Sequence, residues 1–153
     1  MLAVYSLLHV LSAVIWVGGM FFAYSFLRPV AAQQLEPPHR LKLWVGVFNR
    51  FFPYVWLSII LLPLTGYLLM FSIWKGFAAA PLYVHLMQGL GIVMILIYLH
   101  VYFAPFARLK RMVASEDWPQ AGKALAQIRI LVGINTMVGL LVVVIASGGR
   151  FLG

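Results

Sequence analysis

Four long stretches of the chain carry no charged side chain, and this feature restricts the possible folds more than any other. They cover residues 2–26, 51–74, 76–106 and 130–149. Each reaches the ~20 residues that a helix needs to cross a bilayer. Only 9% of the 153 residues are charged, against about 25% in soluble domains.

We therefore expect an all-α integral membrane protein: a four-helix up-down-up-down bundle that forms a single domain over residues 1–153. The predicted spans are about 2–27, 51–74, 81–106 and 128–149. The chain contains no Cys, and the spans contain no Asp or Glu. His and Met are therefore the main side-chain metal ligands available inside the membrane.

The basic side chains are concentrated between the apolar stretches, in the segments 27–50 and 107–129, which the sequence predicts as loops. Residues Gln120 to Arg129 are also compatible with an interfacial helical turn. The residues in these two segments are Arg28, Arg40, Lys42, Arg50, Arg108, Lys110, Arg111, Lys123 and Arg129. Only Lys75 and Arg150 belong to the other end. Because Lys and Arg mark cytoplasmic loops, we expect the bacterial inner (cytoplasmic) membrane, with both termini periplasmic. This topology explains the net charge of +8, and no nucleic-acid partner is expected.

Two histidines lie at matching depth in the predicted spans. His9 is about six residues into the first helix, and His85 is about four residues into the third, which runs in the same direction. At about 1.5 Å per residue, both imidazoles lie roughly 6–9 Å inside the outer helix ends. A level pair of imidazoles in a helical bundle favours bis-His ligation of haem iron.

The residues one turn away from this pair fit a flat macrocycle. Ala13 and Gly89 follow His9 and His85 on the same helix faces and leave space, while Trp16 extends the apolar lining. We therefore predict a haem b protein for electron transfer, with the haem near the periplasmic face. Its expected partners are membrane lipid, a redox partner or quinone, and a second copy in a homodimer. A membrane oxidoreductase activity is compatible with this pattern.

Other interpretations use the same residue types differently. His100 is ~22 Å along the helix from His85, so it defines either a second metal site or an interfacial anchor. Copper is the alternative cofactor, because Cu(I) favours imidazole and thioether ligands, and Met70 is a candidate thioether near the outer end of the second span. Histidines in such helices can also simply cap a backbone carbonyl or meet a tyrosine at the interface.

The segment Leu8 to Met20, LHVLSAVIWVGGM, resembles the first-helix signature of the CopD-like copper-resistance membrane proteins. It is also similar to the HemJ-type protoporphyrinogen oxidases, which are small four-helix haem b proteins. The resemblance implies that His9 is a ligand position and that His85 and His100 occupy characteristic places on the third helix.

The alternative functions that this resemblance implies are copper transport of the CopD type and a HemJ-like oxidase with a substituted site. The HemJ-type proteins carry a lysine two residues after the histidine that begins the third helix. This chain has Met87 at that position.

Overall fold

Four long helices account for nearly the whole chain in the computed structural model, which describes residues 1–151. They are α1 (Leu2–Gln34), α2 (Pro37–Trp74), α3 (Leu82–Ala114) and α4 (Trp118–Phe151). Each is long and apolar enough to cross a membrane, and the described residues contain no strand. The prediction of an all-α, four-helix membrane protein is confirmed.

The helices extend well beyond the apolar stretches. The segments 27–50 and 107–129, predicted as loops apart from a helical turn at residues 120–129, are helical except for breaks at residues 35–36 and 115–117. The loop prediction is wrong because an apolar run marks only the part of a helix that faces lipid or core, and a polar continuation of the same helix carries no such mark. Each break is followed by a proline in the first turn of the next helix: α2 begins at Pro37, and α4 has Pro119 as its second residue. Asp117 caps α4 by accepting a hydrogen bond from the Gln120 N–H.

Single π-helical turns occur in α1 at Ala23–Leu27 and in α3 at Tyr102–Phe106. The first turn ends two residues before Pro29, and the second contains Pro105. A proline ring lacks the backbone N–H and clashes with the carbonyl four residues earlier in a regular α-helix. The wider π turn accommodates the proline, so that each helix continues into its basic extension.

The helices pack chiefly as two antiparallel pairs, α1 on α2 and α3 on α4. Aromatic rings fill the space between the pairs in the half of the bundle nearest the two breaks, where Phe52 contacts Tyr98 and Phe106. The Lys42 Nζ atom lies 5.6 Å from the centre of the Trp118 ring. Both breaks, and the basic residues around them, therefore lie at the same end of the bundle.

Candidate metal site between the first two helices

Small and polar residues bring α1 close to α2. The Ser58 hydroxyl of α2 lies 2.9 Å from the Tyr54 carbonyl of its own helix and 3.3 Å from the Ser12 carbonyl of α1, so both carbonyls share its hydrogen. Farther along, the Phe51 ring lies over Gly19, where a Cβ atom would overlap the ring carbons. We call this contact between α1 and α2 the seam.

His9 is the histidine of the seam. Its Nδ1 atom lies 2.9 Å from the hydroxyl oxygen of Thr65 on α2. The imidazole also lies against Gly66, where an added Cβ atom would approach His9 Cε1 to 3.2 Å. The His9 ring is therefore half-buried and held by two consecutive residues of α2.

The hydrogen bonds of Thr65 define the tautomer of His9. A threonine hydroxyl has one hydrogen to donate, and the Thr65 oxygen is 2.5 Å from the Leu61 carbonyl, which can only accept. The Thr65 hydrogen therefore goes to Leu61, and the Thr65 oxygen accepts from His9 Nδ1–H. In the neutral ring this leaves Nε2 unprotonated, which is the form of imidazole that binds a metal ion.

The soft donor closest to this site along α2 is Met70, five residues after Thr65 and only 2% exposed. Among residues 1–151, no three His, Cys, Asp or Glu side chains come together. His9 supplies an imidazole nitrogen in the seam, and Met70, four residues after Gly66, carries a thioether about one turn farther along the same face of α2. This donor set suits Cu(I) better than it suits hard cations such as Mg²⁺ or Ca²⁺.

Two of the residues predicted to accompany His9 lie on α1 and differ in burial. Ala13 is half-buried beside the seam. Trp16 is 2% exposed, and its ring centre lies 6.3 Å from that of Tyr98 on α3. Trp16 therefore belongs to the aromatic core that joins the two helix pairs.

The residues predicted on α3 face outward. His85, Gly89 and His100 are all exposed on the surface of the bundle. A Cβ atom added at Gly89 would have open space around it. The structure thus places His9 against α2 and leaves His85 on the outer face of α3. The haem site with His9 and His85 as ligands, and the second site at His100, stay predictions.

A cavity of about 320 Å³ lies between the helices in the aromatic half of the bundle, and no histidine lines it. The residues around it do not fit a haem with two histidine ligands.

Sequence reasoning missed the pairing of His9 with Thr65 and Gly66. The available signal was depth: Thr65 lies nine residues before the end of α2 at Trp74, and His9 lies seven residues after the start of α1 at Leu2. In antiparallel neighbours these positions are nearly level. Which helix His9 faces depends on packing, which the depth of a residue does not specify.

Four apolar helices with one strongly basic end define a small multi-pass membrane protein. The family model for copper resistance protein D (CopD) matches residues 45–148, and the chain belongs to this family. The match includes Thr65, Met70 and His85, and it begins after α1, so His9 lies outside it. Searches of curated proteins and of solved structures found no match. The CopD resemblance is confirmed, and the HemJ resemblance stays a prediction.

Proposed function

We propose that this protein handles copper in the bacterial inner membrane by binding Cu(I) through His9. The observation that supports this most directly is the hydrogen bond between His9 Nδ1 and Thr65. It fixes the ring and leaves the Nε2 lone pair available inside a bundle of the copper-resistance family. Met70 is the second ligand in this proposal.

The charge of the ion favours Cu(I) over divalent metals at this site. The cost of moving an ion into a low-dielectric interior rises with the square of its charge, and nearby carboxylates usually offset that cost. The apolar stretches of this chain contain no Asp or Glu. A singly charged, soft ion held by neutral imidazole and thioether groups costs the least in such surroundings.

The charge distribution supports an orientation for this site. Nine of the eleven basic residues surround the two helix breaks, and such an excess is typical of the cytoplasmic side. His9 lies toward the opposite end of α1, so copper meets it from the periplasmic side in this proposal.

Metal and pigment content of the protein purified in mild detergent tests the proposal. Under anaerobic, reducing conditions we expect a colourless protein that takes up Cu(I) in competition with bathocuproine disulfonate, and a large loss of that uptake in His9→Ala. His39→Ala, which alters an exposed histidine in the first turn of α2, is the matched control and should retain it. A Soret band that disappears in both His9→Ala and His85→Ala would contradict copper handling and support the haem prediction.

A further inference from the structure

A small cleft of about 40 Å³ lies between α1, α2 and α4 at the basic end of the bundle. Its lining includes two guanidinium side chains, Arg28 of α1 and Arg129 of α4. In the sequence, Arg28 comes two residues after the apolar stretch 2–26, and Arg129 comes directly before the apolar stretch 130–149. Both cations therefore lie at the depth where the hydrocarbon core of a bilayer meets the lipid headgroups.

Tyr24 holds Arg28 in place. The Arg28 Nε–H donates a hydrogen bond to the Tyr24 carbonyl at 3.2 Å, and the guanidinium carbon lies 4.5 Å from the centre of the Tyr24 ring. That ring packs against Gly133 of α4, where an added Cβ atom would approach it to 2.8 Å. The terminal nitrogens of Arg28 have no hydrogen-bond partner among the described residues and are accessible at the surface. Arg28 is thus an oriented cation with donors available to an anion.

The two arginines lack a counter-ion in this cleft. The chain has only three carboxylate side chains, Glu36, Glu116 and Asp117, and all three lie in the helix breaks. Among residues 1–151, no carboxylate lines the cleft. Arg129 is exposed, so a group at the surface can meet both guanidinium ions. Guanidinium donors match the oxygens of a phosphate especially well.

The larger cavity of about 320 Å³ adjoins this cleft on the side toward the middle of the membrane. Ala23, Phe48 and Val132 line both spaces. Along α1 the cavity extends away from the arginines as far as Trp16, and its wall is almost wholly apolar. Phe22 also lines it and is 59% exposed on the outer surface, so the cavity lies close to the surrounding lipid. Such a wall suits a hydrocarbon chain.

We propose that the cleft and the cavity together hold one anionic phospholipid from the leaflet at the basic end of the bundle. Its phosphate stays at the surface beside Arg28 and Arg129, and one acyl chain enters the apolar cavity. A lipid in its leaflet has this same order, because its headgroup lies at the interface and its chains run toward the midplane. Basic pockets between membrane helices bind phospholipid headgroups in this way. His9, Thr65 and Met70 line neither space, so lipid binding is independent of copper handling.

Native mass spectrometry of the delipidated protein in mild detergent tests the proposal. We expect one palmitoyl-oleoyl phosphatidylglycerol per protein. It should bind at least about 10-fold more tightly than phosphatidylcholine with the same chains, because choline adds a third cation beside the two guanidinium ions. Glycerol phosphate, which has the charge but no chain, should not compete. Equal affinity for the two lipids, or full competition by glycerol phosphate, would overturn the proposal.

Paired charge variants test the position of the headgroup. Arg28→Gln with Arg129→Gln should lower the affinity for phosphatidylglycerol at least about 10-fold. Arg111→Gln with Lys123→Gln removes the same charge from two exposed residues at this end that do not line the cleft. This control pair should change the affinity by less than about 3-fold, because exposed charges are screened. Equal losses in the two pairs would show only a general attraction to the basic end and would overturn the proposal.

A second pair of variants tests the position of the chain. Val132→Phe fills space that the cleft and the cavity share and should abolish binding of phosphatidylglycerol. Val138→Phe makes the same change at a half-buried residue of α4 outside both spaces and should retain it. Full binding by a folded Val132→Phe would overturn the proposal, with folding checked by circular dichroism. The charge variants lie near the surface and keep the test decisive if Val132→Phe does not fold.

A last variant separates lipid binding from copper handling. His9→Ala should bind phosphatidylglycerol as the unaltered protein does, whatever its copper content. A loss of the lipid in His9→Ala would contradict a site formed by the two arginines and the apolar cavity alone.

Discussion

His9 and His85 have nearly the same predicted depth and entirely different surroundings. His9 lies in the seam, with Nδ1 2.9 Å from the Thr65 hydroxyl and its ring against Gly66. His85 is exposed on the outer face of α3. Depth along a helix and direction around it are thus separate properties, and two residues can cooperate only when both match.

Helix geometry explains the difference. On α1, seven residues separate His9 from buried Trp16, which places them about 20° apart around the helix. On α3, nine residues separate His85 from buried Met94, which places them about 180° apart. His9 therefore shares the inward face of α1, whereas His85 lies opposite the inward face of α3.

The largest expected contrast between the two histidines is in copper affinity. We expect His9→Ala to weaken Cu(I) binding by at least about 100-fold, because it removes a direct ligand, and His85→Ala to change it by less than about 3-fold. Competition with bathocuproine disulfonate measures both. Equal losses in the two variants would show that the exposed histidine is a ligand as well and would break the contrast.

A smaller effect is expected from the residue that orients His9. Thr65→Val keeps the side-chain shape and removes the acceptor for Nδ1–H, so Cu(I) affinity should fall by about 10-fold. Thr136→Val is the matched control, since Thr136 is equally buried and its hydroxyl donates to Val132 within its own helix. The same competition assay applies. If the two valine variants behave alike, the Thr65 hydroxyl has no specific role.

The smallest effect concerns the glycines beside the two histidines. A Cβ atom at position 66 would lie 3.2 Å from His9 Cε1 and must displace the ring by a few tenths of an ångström, whereas one at position 89 meets open space. We expect Gly66→Ala to lower Cu(I) affinity by about 3-fold and Gly89→Ala to leave it unchanged. Isothermal titration of both variants checks this, and a larger loss in Gly89→Ala would contradict the assignment of the site to the seam.

The sequence predicts the overall architecture well, and the physical reason is simple. An uncharged apolar run of membrane-spanning length has few alternatives to a spanning helix, so four such runs predict four helices. The prolines at positions 37 and 119 likewise mark the starts of α2 and α4. The long loops were predicted wrongly because the helical extensions carry their basic residues outside the apolar stretches.

The candidate site was only half predictable. The motif around His9 identifies one donor, and the rarity of polar residues in the spans draws attention to Thr65. The direction of His85 was not predictable, because α3 is apolar on nearly all sides near that residue and its sequence gives no inward face there.

The tautomer of His9 determines whether its Nε2 atom can bind Cu(I). In protein labelled with ¹⁵N-histidine, long-range ¹H–¹⁵N spectra distinguish a protonated from an unprotonated ring nitrogen, and loss of one signal set in His9→Ala assigns the residue. We predict a protonated Nδ1, an unprotonated Nε2, and a shift of the Nε2 resonance when Cu(I) is added. A protonated Nε2, or a His9 spectrum unaffected by Cu(I), would contradict Cu(I) binding through His9.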